Sequence, residues 1–260
     1  MKIAFSKYEG TGNDFIIING LLHPGFDPNR TQIKKLCDRK FGIGADGLII
    51  LKEHKQLDFY LEYFNADGSK SFCGNGSRCG VHFASREQFF RSNTCTFEAI
   101  DGEHFAEINN NTIKLKMADV ETIEKRKDAF LVDTGSPHYL LESKNLSKDN
   151  IVDFGRKIRY SEEFQNEGIN VNLFEVINAS TAKLLTYERG VENETLSCGT
   201  GATACGLVMH AMHPEINRAQ IQAKGGNLEV CFSFNSEKKE YQEIFLIGMV
   251  NFVYNGEIYI

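Results

Sequence analysis

Two short glycine-rich segments carry the residues best suited to chemistry. The first runs from Cys73 to Gly76 (CGNG) and the second from Cys198 to Gly201 (CGTG). Each introduces a segment predicted to be helical, at about 76–90 and 200–212. A cysteine just ahead of a helix lies near unsatisfied backbone N–H groups and the positive end of the helix dipole. Both lower the pKa of a thiol from its free value of about 8.5, so the pattern predicts two reactive thiols.

The two cysteine segments are separated by nearly half of the 260-residue chain, and each is followed by a second cysteine and a glycine. Repetition at that spacing predicts a duplicated domain. Two thiols from equivalent halves could lie on opposite faces of one carbon atom. One thiol would then remove a proton as base while the other returns a proton as acid, with the helix N-termini binding a carboxylate. The pattern therefore favours inversion at the α-carbon of an amino acid.

Polar residues near these segments suit the two charged groups of an amino acid. Asn13, Asn65, Asn75 and Asn170 offer neutral amides, and Arg189 could hold a carboxylate through two hydrogen bonds. A single Asn is more often a turn former. Their grouping around the cysteines is what supports a binding role.

Strands dominate the predicted secondary structure. Aromatic and β-branched residues predict strands at 59–64 and 172–177, and apolar periodicity predicts a further helix at 31–40. Asp-Gly and Asn-Gly pairs predict turns, the last two of which lie between apolar runs and could form hairpins. These pairs are Asp67-Gly68, Asp101-Gly102 and Asn255-Gly256.

The composition excludes several classes of protein. A net charge of -6 and a pI of about 5.7 argue against nucleic-acid or anionic-membrane partners. No apolar run approaches the ~20 residues that span a bilayer, and residues 1–7 turn polar too early for a signal peptide. Seven cysteines without a CxxC pair argue against a disulfide scaffold and a structural zinc site. A cytoplasmic protein with reduced thiols is expected.

Six segments, in order along nearly the whole chain, resemble the signature segments of the diaminopimelate epimerases. The two that contain the cysteines are the most specific. The six are Lys7–Phe15, Arg39–Gly47, Phe64–Cys79, Gly135–His138, Asn170–Asn172 and Glu188–Gly201.

The resemblance implies an enzyme that interconverts LL- and meso-diaminopimelate in lysine and peptidoglycan-precursor synthesis, with neither pyridoxal phosphate nor a metal. It implies that Cys73 and Cys198 are the two bases and that His138 and Glu188 assist proton movement at one thiol each. The residues matching positions that hold the reacting end of the substrate are Asn13, Gly74, Asn75, Gly199 and Thr200. Those matching positions that hold the distal amino acid are Asn65, Asn170, Glu188 and Arg189.

The resemblance also implies an α/β (α+β) fold. It consists of two pseudo-symmetric domains, each a curved, mostly antiparallel β-sheet or barrel around a central helix, with the active site between them. The expected domains are 1–117 with 250–260, carrying Cys73, and 118–249, carrying Cys198. Family members are commonly homodimers and close around the substrate, so a homodimer is expected here.

Three positions depart from the family pattern. Ser136 stands where the family often has Asn, and Gly47 stands where some members have Gln. Both bear on recognition of the distal end and leave a shifted substrate preference open. Near the end of the chain, Gly-Met-Val at 248–250 replaces a usual Gly-Pro-Ala, which is expected to affect a turn.

Two alternative functions stay open on the sequence. One is a racemase or epimerase of a different amino acid on the same fold. The other is a redox-regulated thiol protein in which Cys73 and Cys198 form a disulfide. The second charged group offered by Arg189 favours a substrate with two charged ends.

Other motifs have simpler interpretations. Residues 42–47 fit G-x-G-x-x-G but follow a helix and precede a strand, the reverse of a dinucleotide site. The single Asp-Thr-Gly at 133–135 predicts a strand-ending turn, because an aspartic protease needs two aspartates. His210 and His213 lack a third metal ligand nearby and are expected to be packed or solvated. The remaining cysteines are expected to be small buried side chains: Cys37, Cys79, Cys95, Cys205 and Cys231.

Overall fold

The computed structural model describes residues 1–260, except for the side chain of Lys148. The chain divides into two compact units, one formed by Met1–Leu115 with Gly248–Ile260 and the other by Lys116–Ile247. The domain boundaries expected from the sequence lie two residues further along the chain at both points. Within the described residues, no helix has the length and apolar character that crossing a membrane requires.

The first unit contains two α-helices and the strands that surround them. Its elements are β1 (Lys2–Gly10), β2 (Asn13–Asn19), α1 (Arg30–Cys37), β3 (Gly47–Lys52), β4 (Phe59–Asn65), α2 (Gly74–Arg86), β5 (Thr94–Ala99), β6 (Gly102–Asn109) and β7 (Thr112–Lys116), with the last strand of the chain, β17 (Asn251–Tyr259). β17 pairs antiparallel with β1 along almost its whole length.

The second unit also contains two α-helices, with a short 3₁₀ turn at Leu146–Lys148. Its other elements are β8 (Ile123–Lys125), β9 (Ala129–Asp133), β10 (Pro137–Glu142), α3 (Ile151–Arg159), β11 (Asn170–Asn178), β12 (Thr181–Glu188), β13 (Asn193–Thr195), α4 (Gly199–Met212), β14 (Arg218–Ala223), β15 (Gly226–Asn235) and β16 (Glu240–Met249).

The strands of the two units pair in the same order and direction. Along β1 to β6, successive pairs are antiparallel, parallel, antiparallel, parallel and antiparallel. The series β9, β10, β11, β12, β14 and β15 repeats that alternation. Helices α1 and α3 join the second and third strands of their series, while α2 and α4 lie between the fourth and fifth. The predicted two-domain α/β fold with a duplicated plan is confirmed.

The helices that follow the cysteine segments are the buried helices of their units. α4 (GTGATACGLVMHAM) is small or apolar on every side, which suits a helix surrounded by other elements. Its residues are almost all buried, and it packs on strands from β9 to β15. At Gly206, a Cβ atom would lie 2.8 Å from Cβ of Val230, so glycine permits the close approach of α4 to β15.

Two predicted helices have different ends in the structure. The helix expected at 31–40 stops at Cys37, because the Asp38 carboxylate accepts the N–H groups of Lys40 and Phe41 and turns the chain. The helix expected at 76–90 begins earlier, at Gly74, and ends at Arg86. Gln88 has a φ of 61°, which takes the backbone out of the helix.

One of the predicted hairpins is wrong. Asp101-Gly102 does join two strands, since Ala99 pairs with Gly102 across the turn. Asn255-Gly256 instead lies within β17. A Cβ atom at Gly256 would lie 2.8 Å from Cε1 of Phe5, so this glycine leaves room for a ring on the neighbouring strand.

Candidate active site

Cys73 is the N-cap residue of α2. Its backbone is extended, with φ −137° and ψ 108°, and its sulfur accepts a hydrogen bond from the N–H of Gly76 at 3.4 Å. The Cys73 carbonyl accepts the first helical hydrogen bond from Ser77, at 2.8 Å. The side chain is half-buried, so the thiol is reachable.

Cys198 occupies the equivalent position on α4. Its backbone is extended at φ −122° and ψ 115°, and its sulfur accepts from the N–H of Gly201, also at 3.4 Å. Ala202 donates to the Cys198 carbonyl at 2.9 Å. Each unit therefore presents a thiol in the same local geometry. A sulfur that accepts an N–H bond at the positive end of a helix is stabilised as thiolate.

In the first unit, a series of hydrogen bonds between side chains fixes the polar residues beside Cys73. Asn75 donates to Oδ1 of Asn13 at 2.8 Å, and Asn13 donates to Asp46 at 2.7 Å. Arg39 holds Asp46 at 2.7 Å and also binds Asp14. The amides of Asn13 and Asn75, predicted from the sequence to bind substrate, thus lie in direct contact. The supporting residues Asp46 and Arg39 belong to the second matching segment, but no role was predicted for them.

Asp14 accepts hydrogen bonds from both cations of this series, Arg39 and Lys7. Burial would raise the pKa of the Asp14 carboxyl, but hydrogen bonds from Arg39 and Lys7 hold it at about 2. Lys7 also donates to the carbonyl of Gly44. Asp14 is therefore charged at any ordinary pH, and the hairpin that carries Asn13 is fixed by ion pairs.

Arg78 is a cation that sequence analysis missed. Its side chain is completely buried, and its Nη2 donates to Thr11 Oγ1 at 2.8 Å and to Asn75 Oδ1 at 2.9 Å. Its Nε and Nη1 atoms have no hydrogen-bond partner among the described residues, and burial lowers the pKa of Arg78. The guanidinium fixes the amide orientation of Asn75 from behind the helix N-terminus. Its position in α2 gave no signal, because Arg is common in helices.

Asn65, also predicted to bind substrate, ends β4. Its Nδ2 atom donates to Ser69 Oγ at 3.0 Å and to Ser71 Oγ at 3.1 Å. Its Oδ1 atom accepts from the hydroxyl of Tyr63 at 3.1 Å. The side chain is half-buried.

In the second unit, His138 reaches Cys198 through Thr200. Its Nε2 atom lies 2.9 Å from Thr200 Oγ1, which lies 3.4 Å from the sulfur of Cys198. His138 therefore contacts the thiol through an intervening hydroxyl. These contacts place His138 where it can influence the thiol, and its assisting role stays a prediction.

Asn172 sets the tautomer of His138. Its Nδ2 atom donates to the carbonyl of Tyr139 at 3.1 Å, and its Oδ1 accepts from Thr186 at 2.9 Å. The same Nδ2 faces Nδ1 of His138 at 3.0 Å, so Nδ1 must be the acceptor. The imidazole proton is then on Nε2, where it is donated to Thr200. Asn172 lies in a matching segment, but only Asn170 of that segment was predicted to act.

His138 is neutral in the folded protein. Burial, aided by the positive charge of Arg189, lowers the pKa of its imidazole from 6.5 to about 3. A neutral imidazole both donates and accepts, whereas a protonated one only donates. The hydrogen bond from Asn172 requires the neutral form.

Three of the four residues predicted to hold the distal amino acid lie together in this unit, and the fourth, Asn65, belongs to the first unit. Asn170 donates to Ser136 Oγ at 2.7 Å and accepts from the backbone N–H of Arg189 at 2.9 Å. The guanidinium of Arg189 binds the carbonyl of Glu167 at 2.9 Å and lies 3.5 Å from Ser136 Oγ. Glu188, half-buried, ends β12 next to Arg189. Arg189 is exposed.

The predicted site residues are divided between the two units. Those of the first unit are Asn13, Asn65, Cys73, Gly74 and Asn75, and those of the second are His138, Asn170, Glu188, Arg189, Cys198, Gly199 and Thr200. Gly74 and Gly199 are the first residues of their helices, and the N–H groups there have no partner within the helix. Such groups can bind a carboxylate.

The other cysteines are mostly packing residues, as predicted. Cys79 and Cys205 are completely buried, which raises the pKa of both thiols, and burial raises the pKa of Cys37 to about 11 and of Cys95 to about 12. The prediction is wrong for Cys231, which is half-exposed. Its neighbours in β15 alternate inward, and Cys231 falls on the opposite face.

The remaining motifs have structural roles. Residues 42–47 connect α1 to β3, and the Asp-Thr-Gly at 133–135 forms the turn between β9 and β10. Nδ1 of His210 lies 2.9 Å from the hydroxyl of Tyr241, and its ring packs on Phe232. His213 is the C-cap residue of α4.

The fold is known from enzymes with very different sequences. A phenazine biosynthesis protein of the PhzF family from Bacillus anthracis matches with a TM-score of 0.77 at 14% identity, and all of both chains is covered. A probable proline racemase from Agrobacterium radiobacter matches with a TM-score of 0.71 at 12% identity, covering 99% of this chain and 93% of the other. The chain therefore shares its fold with these two proteins.

Sequence relatives narrow the assignment. The family model for diaminopimelate epimerase matches residues 5–123 and 130–253. A diaminopimelate epimerase from Flavobacterium psychrophilum is 46% identical over 97% of this chain and 98% of its own length. One from Aquifex aeolicus is 36% identical over 98% of both. The chain belongs to the diaminopimelate epimerase family.

Thr200→Val tests the link between His138 and Cys198. Valine keeps the shape of threonine but removes the hydroxyl that stabilises the thiolate. At neutral pH, we expect alkylation of Cys198 by iodoacetamide to slow by about 5-fold, the equivalent of one hydrogen bond, while Cys73 is unaffected. Peptide mass spectrometry measures both thiols in one sample. Thr203→Val is the matched control, because that hydroxyl donates to the Gly199 carbonyl within α4. Equal rates in both variants would contradict the link.

The neutral state of His138 predicts a stability that falls in acid. Between pH 6.5 and about 3, the unfolded chain binds a proton at His138 and the folded protein does not, so stability is lost as the pH falls below 6.5. Its contribution to the loss between pH 7.5 and 5.5 is about 1 kcal/mol. Urea unfolding at the two pH values should show a smaller loss for His138→Gln than for the wild type. Identical losses would mean that His138 titrates normally.

Proposed function

We propose that this protein interconverts LL- and meso-diaminopimelate by moving a proton at one α-carbon. The observation that carries the proposal is the pair of N-cap cysteines, each accepting an N–H bond from a buried helix. The relatives named above support the substrate. The product serves lysine and peptidoglycan-precursor synthesis.

The reaction needs one thiolate and one thiol, acting on opposite faces of the substrate carbon. The thiolate removes the α-proton and becomes a thiol, and the C–H electron pair delocalises into the adjacent carboxylate. The second thiol then gives its proton to the opposite face and becomes a thiolate. Identical groups serve both directions, since the enzyme finishes with the two protonation states exchanged. Negative charge that develops on the carboxylate is stabilised by the helix N–H groups at Gly74–Asn75 and Gly199–Thr200.

The two units support their thiols differently. We propose that His138 assists Cys198 through hydrogen bonds: its Nε2–H donates to Thr200, whose hydroxyl donates to the Cys198 sulfur and stabilises the thiolate, with Asn172 holding the imidazole in this tautomer. Glu188 is also proposed to assist proton movement at one thiol. In the first unit, Asn13 and Asn75 hold the reacting amino acid. No pyridoxal phosphate or metal takes part in this scheme.

The distal amino acid is proposed to bind Asn65, Asn170, Glu188 and Arg189. Arg189 supplies a cation for the distal carboxylate, and the carboxylate of Glu188 suits the distal ammonium. Ser136 lies within this group through its bond to Asn170. A hydroxyl at 136 is shorter than the Asn common in the family, but it still offers a donor and an acceptor.

The activity is tested with reduced protein, LL-diaminopimelate and no added cofactor. We expect the meso isomer to appear on chiral chromatography until the two isomers reach equilibrium. L-Lysine, L-glutamate and L-proline serve as comparison substrates, and inversion of one of these in place of diaminopimelate would favour a different racemase.

Replacement of either cysteine tests the two-base mechanism. Cys73→Ala and Cys198→Ala should each lower the rate of epimerisation by at least about 1,000-fold, because the acid or the base is then missing. Cys79→Ala and Cys205→Ala are matched controls on the same two helices, and they should keep most of the wild-type rate. Substantial turnover by either variant at 73 or 198 would rule out a pair of bases.

We also propose that the protein is a cytoplasmic homodimer, in keeping with the reduced thiols that the reaction requires. β17 supports dimerisation, because Val253, Tyr254 and Tyr259 on this strand are exposed apolar side chains. Light scattering should give a mass near twice the 29.3 kDa of one chain. The mass of a single chain would contradict this part of the proposal.

A further inference from the structure

Gly47 lies in the middle of the first unit's sheet and leaves a gap there. It pairs with Phe15 of β2 on one side and with Asn65 of β4 on the other. Gly47 is buried, yet it carries no side chain to fill the space beside Asn65. Glycine within a strand often marks a place where another group approaches closely.

The ring of Tyr63 fills that gap. Tyr63 lies two residues before Asn65 on β4, so both side chains emerge on the same face of the strand. A Cβ atom at Gly47 would overlap Tyr63 Cε2, and it would lie 2.8 Å from both the Tyr63 hydroxyl oxygen and the backbone carbonyl oxygen of Phe64. The ring reaches across the glycine to meet the edge of Phe15, with centroids 6.1 Å apart. Tyr63 is only 8% exposed.

The Tyr63 hydroxyl donates to the Asn65 amide. The carbonyl of Ser69 lies 3.4 Å from one end of that amide, and a carbonyl only accepts, so this end is Nδ2. The other end, Oδ1, then faces the Tyr63 hydroxyl, which donates to it at 3.1 Å.

We propose that Tyr63 is a positioning residue for recognition of the distal amino acid. Its ring takes the place that a side chain at position 47 would occupy, and its hydroxyl fixes the Asn65 amide. The glycine that departs from the family pattern is thus compensated from the neighbouring strand. This inference rests on the proposed function, since the distal amino acid is the ligand proposed for Asn65.

Tyr63→Phe removes the hydroxyl and keeps the ring. We expect KM for LL-diaminopimelate to rise by about 5-fold, the equivalent of one hydrogen bond, with kcat within about 2-fold of the wild type. The preference for LL-diaminopimelate over L-2-aminopimelate, which lacks the distal ammonium, should fall by a similar factor. Tyr60→Phe is the matched control, because Tyr60 lies on the same strand but faces the other side. It should leave all three quantities unchanged.

A double substitution tests whether Tyr63 compensates for the glycine at position 47. Gly47→Gln alone should lower the melting temperature and raise KM, because the new side chain overlaps the tyrosine ring. Tyr63→Val alone should also raise KM. The double variant should be more stable than Gly47→Gln and should bind substrate better than Tyr63→Val. Losses that simply add would overturn the compensation.

The outcomes separate this inference from the proposed function. A wild-type enzyme that epimerises LL-diaminopimelate, with a Tyr63→Phe variant that matches it in KM and preference, would overturn the inference alone. A wild type that inverts neither diaminopimelate nor L-2-aminopimelate would overturn the proposed function and the inference with it.

Discussion

A hydrogen bond from a backbone N–H to a cysteine sulfur recurs at the N-terminus of both buried helices. The same geometry appears at Cys73 and Cys198, with a nitrogen-to-sulfur distance of 3.4 Å in each case. It requires a helix that begins directly after the cysteine and glycines that keep the first turn narrow. It also requires that each helix be packed on nearly every side, so that its N–H groups are not lost to water. The composition of α2 and α4, rich in small residues, follows from that requirement.

The residues that surround the cysteine differ between the two units. Around Cys73, charged residues fix the amides: Arg39 and Asp46 hold Asn13, and the buried Arg78 holds Asn75. Around Cys198, the supporting residues are neutral. His138, Thr200 and Asn172 form a series of hydrogen bonds in which each donor has an acceptor. The two units therefore share a fold and differ in the residues that surround the cysteine.

Much of the fold and the site could be predicted from the sequence, because the relevant signals are local. Glycines and apolar periodicity predict the helices that follow the two cysteine segments. The polar site residues were predicted because most of them lie in segments that resemble the signature segments of the family. The failures were of a different kind. Asn255-Gly256 has the composition of a turn, but the glycine in fact accommodates the ring of Phe5 from another strand. The helix that ends at Cys37 is stopped by a turn at Asp38, and the helix that ends at Arg86 is stopped by the positive φ of Gln88. Apolar periodicity does not reveal either stop.

The supporting residues were missed for a related reason. Arg78, Asn172 and Tyr63 act through side chains brought close by the pairing of strands and the packing of a helix. Nothing in the local sequence distinguishes a buried arginine from an exposed one, or an asparagine that orients a histidine from one that forms a turn. Gly47 did stand out as a departure from the family, but the residue that compensates for it lies on the next strand.

Isotope incorporation early in the reaction distinguishes two thiols that act as acid and base from a single group that does both. LL-diaminopimelate is incubated in deuterium oxide until a few per cent has reacted, and the separated isomers are examined by mass spectrometry. If one thiol removes the proton and the other returns a solvent-derived one, the meso product carries deuterium and the recovered LL isomer still carries its α-proton. Meso product that retains the original proton, or recovered substrate labelled as fast as product forms, would show that a single group does both.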